Sequence, residues 1–356
     1  MVKWLFILII FCALQHIKAQ YTDQINSNRP GVSIGAFAVG KNVIQFETAT
    51  EYREYRHYNY NKSKLNAGVG FFSFRWGVLS ERFEINYQAQ FLEGFLFEKN
   101  FGVTNKVKQK GFLQNSFGLK LLLFDPFKKE RKPNLYSWKA NNNFQLRDLI
   151  PAVSLTAGIN FNFEEQNPFS FGNIFSNLYQ PLFYQNLGIQ QERDSFMDYR
   201  LTLATQSHFL KTWVFVTNFT LNRISSKYPE KSYILTLTHS FNPRGSVYIE
   251  NQGIFGTYNI DVLFRTGVAF LLNRNLQIES SVGANIKTTP SIFLTNLGIS
   301  YRLDFHKKFK ELNNMDDKKS DKPFSKSSKK TDKALSKNMR KTKKEEKKRN
   351  RKAARN

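Results

Sequence analysis

Between residues 20 and 305 no apolar run approaches the roughly 18 residues that a membrane helix requires. Short segments of about ten residues recur instead, with apolar and polar side chains alternating. A period of two is that of a strand with one greasy and one wet face. In 213–221, Trp213, Phe215, Phe219 and Leu221 alternate with Val214, Val216, Asn218 and Thr220. In 260–272, Ile260, Val262, Phe264, Val268, Phe270 and Leu272 oppose Asp261, Arg265, Gly267 and Ala269. Twelve such segments are read, at 43–53, 64–76, 83–97, 111–124, 152–163, 198–209, 213–223, 233–241, 246–256, 260–273, 276–286 and 291–305.

A soluble sandwich would alternate too, so the connections must decide. An even strand count suits a bacterial outer-membrane barrel, whose periplasmic turns are short and surface loops long. If the first strand runs outward, the connections 77–82, 210–212, 242–245 and 274–275 fall in the periplasm, and all are short. The connection 125–151 is an exception, and 164–197 is the longest outward one. Aromatic residues gather where strands end. Trp76, Phe83, Phe209, Trp213, Phe241, Tyr301 and Phe305 fall at the periplasmic rim, and Tyr52, Tyr233 and Phe293 at the outer rim. Such girdles mark the two membrane interfaces. The expected fold is all-β: a transmembrane, antiparallel, up-and-down barrel of about 12 strands over 43–305, followed by a disordered basic tail.

The flanks have their own chemistry. Residues 1–19 read as a cleaved signal peptide, with Lys3 before an apolar run at 4–14, and with Ile17 and Ala19 ahead of a mature start at Gln20. Cys12, the one cysteine, lies inside that run, so no disulfide or cysteine chemistry is expected in the mature chain. Residues 20–42 read as a periplasmic N-terminal segment or short plug. The formal charge is +25, and residues 306–356 alone hold 21 Lys/Arg against 7 Asp/Glu. That stretch has too few core-forming residues to offset its ordering entropy, and is expected to be a disordered periplasmic tail meeting anionic periplasmic components. No nucleic-acid partner is expected, because the charge sits on no folded face.

Catalytic chemistry finds no foothold. His239 and Ser240 are adjacent and would face opposite sides of a strand. No metal-ligand spacing surrounds His57 or His208, and the glycines of 31–40 lack phosphate-loop spacing. No catalytic residue, metal or cofactor is expected. The informative positions are charges on the polar faces: Glu47, Glu84, Arg200, Glu250, Arg265, Glu279 and Arg302. A charge facing lipid at mid-membrane costs about 2–4 kcal/mol. These seven are therefore expected to line the lumen, either as paired braces or along a pathway.

The opening INSNRPGVSIGAFAVGKNVIQFE (25–47) resembles the Asn/Asp-Arg-Pro, Val-Gly-Lys/Arg and Gln-x-Glu pattern of the outer-membrane family of the phenol-degradation (MetA) pathway. The segments 121–158, 213–218, 233–243 and 301–306 are similar to its Gram-negative branch, and the resemblance covers about 22–306. It implies an outer-membrane barrel that passes small, aromatic or hydrophobic compounds. The basic tail lies outside that pattern. The expected function is an outer-membrane transporter or channel, with outer-membrane lipid and a small-molecule solute as partners. The alternative is a non-enzymatic structural or secretion-accessory barrel.

Overall fold

The computed structural model describes residues 25–28, 31–58, 62–100, 103–128, 136, 144–162, 196–210, 212–226, 229–256 and 260–305. The expected signal peptide at 1–19, the tail at 306–356 and most of the connection 164–197 lie outside the described residues.

Twelve strands form one closed antiparallel barrel: β1 (Val43–His57), β2 (Ser63–Gly77), β3 (Phe83–Asn100), β4 (Val103–Phe124), β5 (Ala152–Phe161), β6 (Met197–Phe209), β7 (Trp213–Asn222), β8 (Glu230–Ser240), β9 (Gly245–Phe255), β10 (Ile260–Asn273), β11 (Leu276–Asn285) and β12 (Ser291–Asp304). Each strand pairs with its chain neighbours, and β1 closes the ring on β12 from Val43↔Asp304 to Arg56↔Ser291. Closure removes both sheet edges, which a strand in hydrocarbon requires.

The alternation decides which face turns in. Along β1 the odd residues are buried, among them Gln45, Glu47, Glu51 and Arg53, while Phe46 and Tyr52 are exposed. Along β10, Asp261, Arg265 and Ala269 are buried and Phe264, Val268 and Phe270 exposed. An inward polar face and an outward apolar one invert the pattern of a soluble domain and match a lipid-embedded barrel. Trp76, Phe241, Tyr301 and Phe305 are exposed at one end of the barrel, where most connections are short. That is called here the turn end, and the opposite one the loop end.

Two departures from the sequence pattern have physical causes. The stretch 98–110 was expected as a loop, yet β3 runs to Asn100 and β4 starts at Val103. At 22 residues, β4 is twice the ~9–11 needed to cross a bilayer, so this hairpin projects beyond the apolar belt. Over residues 103–108 of β4 both faces are exposed and alternation loses its meaning. Lys108 pairs with Glu93 at 2.6 Å, and Lys106 Nζ sits 3.9 Å from the Phe95 ring centroid. The second departure is a bulge, where Gln90↔Gln114 gives way to Phe91↔Phe112. The extra residue, Leu113, is driven into the interior and fully buried.

Candidate functional site

The barrel interior is crossed by the chain's own N-terminal segment. It enters at the turn end, where the Ile25 amide donates to Arg274 O at 2.9 Å and Ser27 Oγ meets Ser300 Oγ at 2.8 Å. The wall then binds the segment's backbone. Val32 and Ser33 amides donate to Glu250 Oε2 at 3.1 and 3.3 Å. Asn218 clamps Ile34 from both sides, accepting from its N–H and donating to its C=O, each at 2.7 Å. The Ala36 amide donates to Gln206 Oε1 at 3.0 Å, and the Val39 amide to Glu84 Oε2 at 3.0 Å. Lys120 Nζ donates to the carbonyls of Gly35 and Phe37 at 2.5 and 2.8 Å.

An extended segment without secondary structure leaves its amides and carbonyls unpaired, at a cost of roughly 1–3 kcal/mol each if buried unsatisfied. Inward carboxylates, amides and an ammonium on β3, β4, β6, β7 and β9 meet that need. The tie to β1 and β2 runs through Arg75, which donates to Glu84 at 2.8 and 2.9 Å, to Glu47 at 3.3 Å and to Asn26 O at 2.9 Å. The Asn28 amide in turn donates to Glu47 Oε1 at 3.2 Å, and Gln45 Nε2 to Asn26 O at 3.2 Å. Asn28, Gln45 and Glu47 thus meet at the joint between segment and wall. The long connection 125–151 serves the same end of the barrel. Its Phe127 ring lies 6.1 Å from Phe37 and 5.0 Å from His208, beneath the segment.

All seven charges singled out from the sequence fall on inward positions. Glu47, Glu84, Glu250, Arg265, Glu279 and Arg302 are buried and Arg200 is half-buried. The structure divides them by role. Glu47, Glu84 and Glu250 hold the segment. Arg265 donates to Glu250 Oε1 at 2.6 Å from the paired position on the adjacent strand, so this pair runs along the wall and not across the lumen. Arg302 lies 3.6 Å from Asp304. Arg200 stands apart from these and lines a central cavity.

Sequence reasoning passed over Arg75, Lys120, Gln206 and Asn218, which hold the segment, and the buried pair Glu51–Arg53. Arg75 and Lys120 share their strand face with residues such as Ser73 and Ser116, so strand parity was the available signal. A second omission is apolar. Leu65, Val69, Leu92, Leu96, Leu113 and Leu294 turn inward and pack in one cluster that reaches Ile254 of β9 and Leu263 of β10. The wall of β5–β7 is polar at this level, with Asn160, Thr202, Thr220 and Asn222 buried. The interior is therefore amphipathic in cross-section.

Above the segment lies a cavity of about 80 Å³. Val32, Ile34 and Ile234 give it an apolar floor, and Gln88, Gln90, Gln114, Gln252, Arg200, Glu230 and Arg265 a polar wall. A smaller space of about 20 Å³ shares Ile34, Gln88 and Arg200 with it and continues along β3–β6. Among the described residues, no group of three His, Cys, Asp or Glu is placed to hold a metal ion. His239 lies against Trp213, ring centroids 4.3 Å apart, one face away from Ser240.

A family model described as "Putative MetA-pathway of phenol degradation" matches residues 27–182 and 193–303. Among solved structures, the chain is similar to an outer membrane channel from Pseudomonas putida F1, at 12% identity over 78% of this chain and 100% of that one, with a TM-score of 0.49. The NanC porin matches at 7% identity, over 72% and 100% of the two chains, with a TM-score of 0.41. The CymD monoaromatic hydrocarbon channel matches at 8% identity, over 75% and 89%, with a TM-score of 0.39. No curated protein matches the sequence.

Proposed function

The chain belongs to the family described by the MetA pathway of phenol degradation, and from that premise we propose an outer-membrane channel for small molecules with an apolar or aromatic body. The observation that carries this reading is the central cavity of about 80 Å³, bounded by polar wall and apolar floor. A barrel built only as a scaffold has no need of such a space. An eight-stranded barrel is filled by its side chains and one of sixteen leaves a wide pore, so twelve suits a narrow path.

The N-terminal segment governs that path. The space beside Ile34 is about 20 Å³, and a water needs roughly 10–15 Å³ measured this way. A water fits past Ile34 and an aromatic ring does not. Passage of a ring requires the segment to shift, which its bonds to Glu250, Asn218, Gln206 and Glu84 oppose. The channel is closed at rest and opens when some of these bonds exchange with solute or water.

Liposome swelling tests the reading, with the intact protein and a panel of small aromatic and aliphatic solutes. Aromatics of one ring are expected to enter faster than polar aliphatics of equal mass. Removal of residues 25–41 should abolish that preference and speed all solutes. If neither protein admits any solute, the scaffold alternative holds.

A further inference from the structure

We propose that the central cavity is a binding site for a small organic acid with an apolar body, its carboxylate held by Arg200 and a hydroxyl, where it has one, by Gln90. This rests on the channel reading for its biological setting but not for its geometry.

Arg200 is an inward, half-buried cation on β6 that donates no hydrogen bond to any described residue; Glu230 attracts it only at longer range, and its Nε is shut off from solvent without a partner. Its neighbours differ. Arg265 in the same cavity is bonded to Glu250 at 2.6 Å, and Arg75 to Glu84 and Glu47. Glu230 also lines the cavity and attracts Arg200 electrostatically, but it does not fill the guanidinium's hydrogen-bonding positions. A guanidinium N–H shut off from water without an acceptor is costly unless a ligand supplies one. Its planar fork matches a carboxylate with two parallel N–H···O bonds.

A second polar atom in the cavity is also without a partner. Gln90 donates through Nε2 to Gln114 Oε1 at 2.9 Å, and Gln114 donates onward to Ser116 Oγ at 3.0 Å. That chain fixes the Gln90 amide and leaves its Oε1 buried with no donor. An oriented acceptor selects a hydroxyl on the solute. Val32, Ile34 and Ile234 then offer an apolar bed for its carbon body. A donor for an anion, an acceptor for a hydroxyl and an apolar floor together describe a hydroxylated aromatic acid better than a hydrocarbon or a sugar. Val32 and Ile34 belong to the N-terminal segment, so a solute here touches the part that must move.

The test is isothermal titration calorimetry on the full-length protein in detergent, with para-hydroxybenzoate, benzoate and para-hydroxybenzyl alcohol as probes. The acids are expected to bind more tightly than the alcohol. Arg200→Gln should weaken both acids by about ten- to a hundredfold, the worth of a charge-assisted hydrogen bond, and leave the alcohol within about twofold. Arg200→Lys should restore part of the loss. Gln90→Leu should weaken para-hydroxybenzoate and spare benzoate. Retained binding of the alcohol shows that each variant is folded. Acid affinity unchanged in Arg200→Gln, or lost equally for acid and alcohol, overturns the assignment. Liposome swelling is read separately. Swelling with no Arg200-dependent binding sinks this site and leaves the channel reading standing, whereas Arg200-dependent binding without swelling does the reverse.

Discussion

The backbone of Gly31 passes so close to Glu250 that a Cβ on it would stand 2.5 Å from Glu250 Oε2, and its φ of +125° lies where only glycine is at ease. The carboxylate that crowds Gly31 is the one that accepts from the next two amides, Val32 and Ser33. Gly31→Ala should therefore strain the segment by roughly 1–3 kcal/mol while leaving the strands untouched. The expected result is a barrel of normal heat-modifiable gel mobility with larger, less steady currents in planar bilayers. A current identical to the parent's would mean that this contact does not hold the segment.

Arg75 is the knot between segment and wall. It is fully buried and bridges two buried carboxylates, Glu47 and Glu84, on either side. Removing one partner of a buried ionic group strands the rest, at about 3–5 kcal/mol. Arg75→Ala should lower the urea midpoint of the barrel in detergent by a corresponding amount. The quadruple change Arg75→Met with Glu47→Gln, Glu84→Gln and Lys120→Met should recover much of it, because neither the two carboxylates nor Lys120, which both of them attract, is then left as an uncompensated charge. A quadruple variant no more stable than Arg75→Ala would show that packing, not charge, makes Arg75 necessary.

The barrel was legible because hydrocarbon enforces a binary rule at every exposed position. Phe264, Val268 and Phe270 cannot trade places with Arg265 or Ala269. The rule lapses where lipid ends, and the hairpin around Lys106 and Lys108 therefore carries no strand pattern. It is also silent about the inward face, which is apolar where inward residues pack on each other. Leu92, Leu96 and Leu294 pack in that way, and nothing in their spacing separates them from lipid-facing leucines except strand parity. The segment's role was half legible. The family-like residues Asn28, Gln45 and Glu47 were noted, but their meeting depends on β1 folding back over residues 26–28, a contact that spacing does not disclose.

Orientation in the membrane is open to a direct check. The short connections place Arg244 at the turn end, expected to be periplasmic, and Tyr58 at the loop end, expected outside. Cys12 is the chain's one cysteine, so single cysteines report cleanly in a Cys12→Ser background. On intact cells, Tyr58→Cys should react with a membrane-impermeant maleimide and Arg244→Cys should react only after lysis. The opposite pattern would invert the barrel and place the N-terminal segment's entry on the cell surface.

The basic tail beyond Phe305 is expected to be separable from the barrel. The barrel closes at Asp304, before the tail begins. A chain cut after Phe305 should keep its heat-modifiable mobility and lose salt-sensitive binding to anionic vesicles, an attraction of up to about 1 kcal/mol per lysine at a charged surface. Loss of the barrel on truncation would make the tail structural instead.

Glu250 joins the wall to the segment more directly than any other carboxylate described here. Its Oε1 accepts from Arg265 at 2.6 Å, and its Oε2 from Thr236 Oγ1 at 3.0 Å and from the amides of Val32 and Ser33. Two substitutions separate these duties. Glu250→Gln keeps one acceptor oxygen and the shape of the side chain, but removes the charge that balances Arg265. Glu250→Ala removes both anchors and leaves a void beside Gly31. If the segment is the gate, Glu250→Ala should raise open-channel current severalfold, and Glu250→Gln should raise it less while shifting ion preference toward anions, because Arg265 then loses its bonded carboxylate and keeps only the more distant Glu51. The strands around them pair through backbone bonds that neither change touches, so gel mobility should stay that of a folded barrel. Equal currents in parent and Glu250→Ala, with the barrel intact, would show that solute passes without releasing Val32 and Ser33. The path would then have to run wholly along the β3–β6 wall, past Gln88 and Arg200.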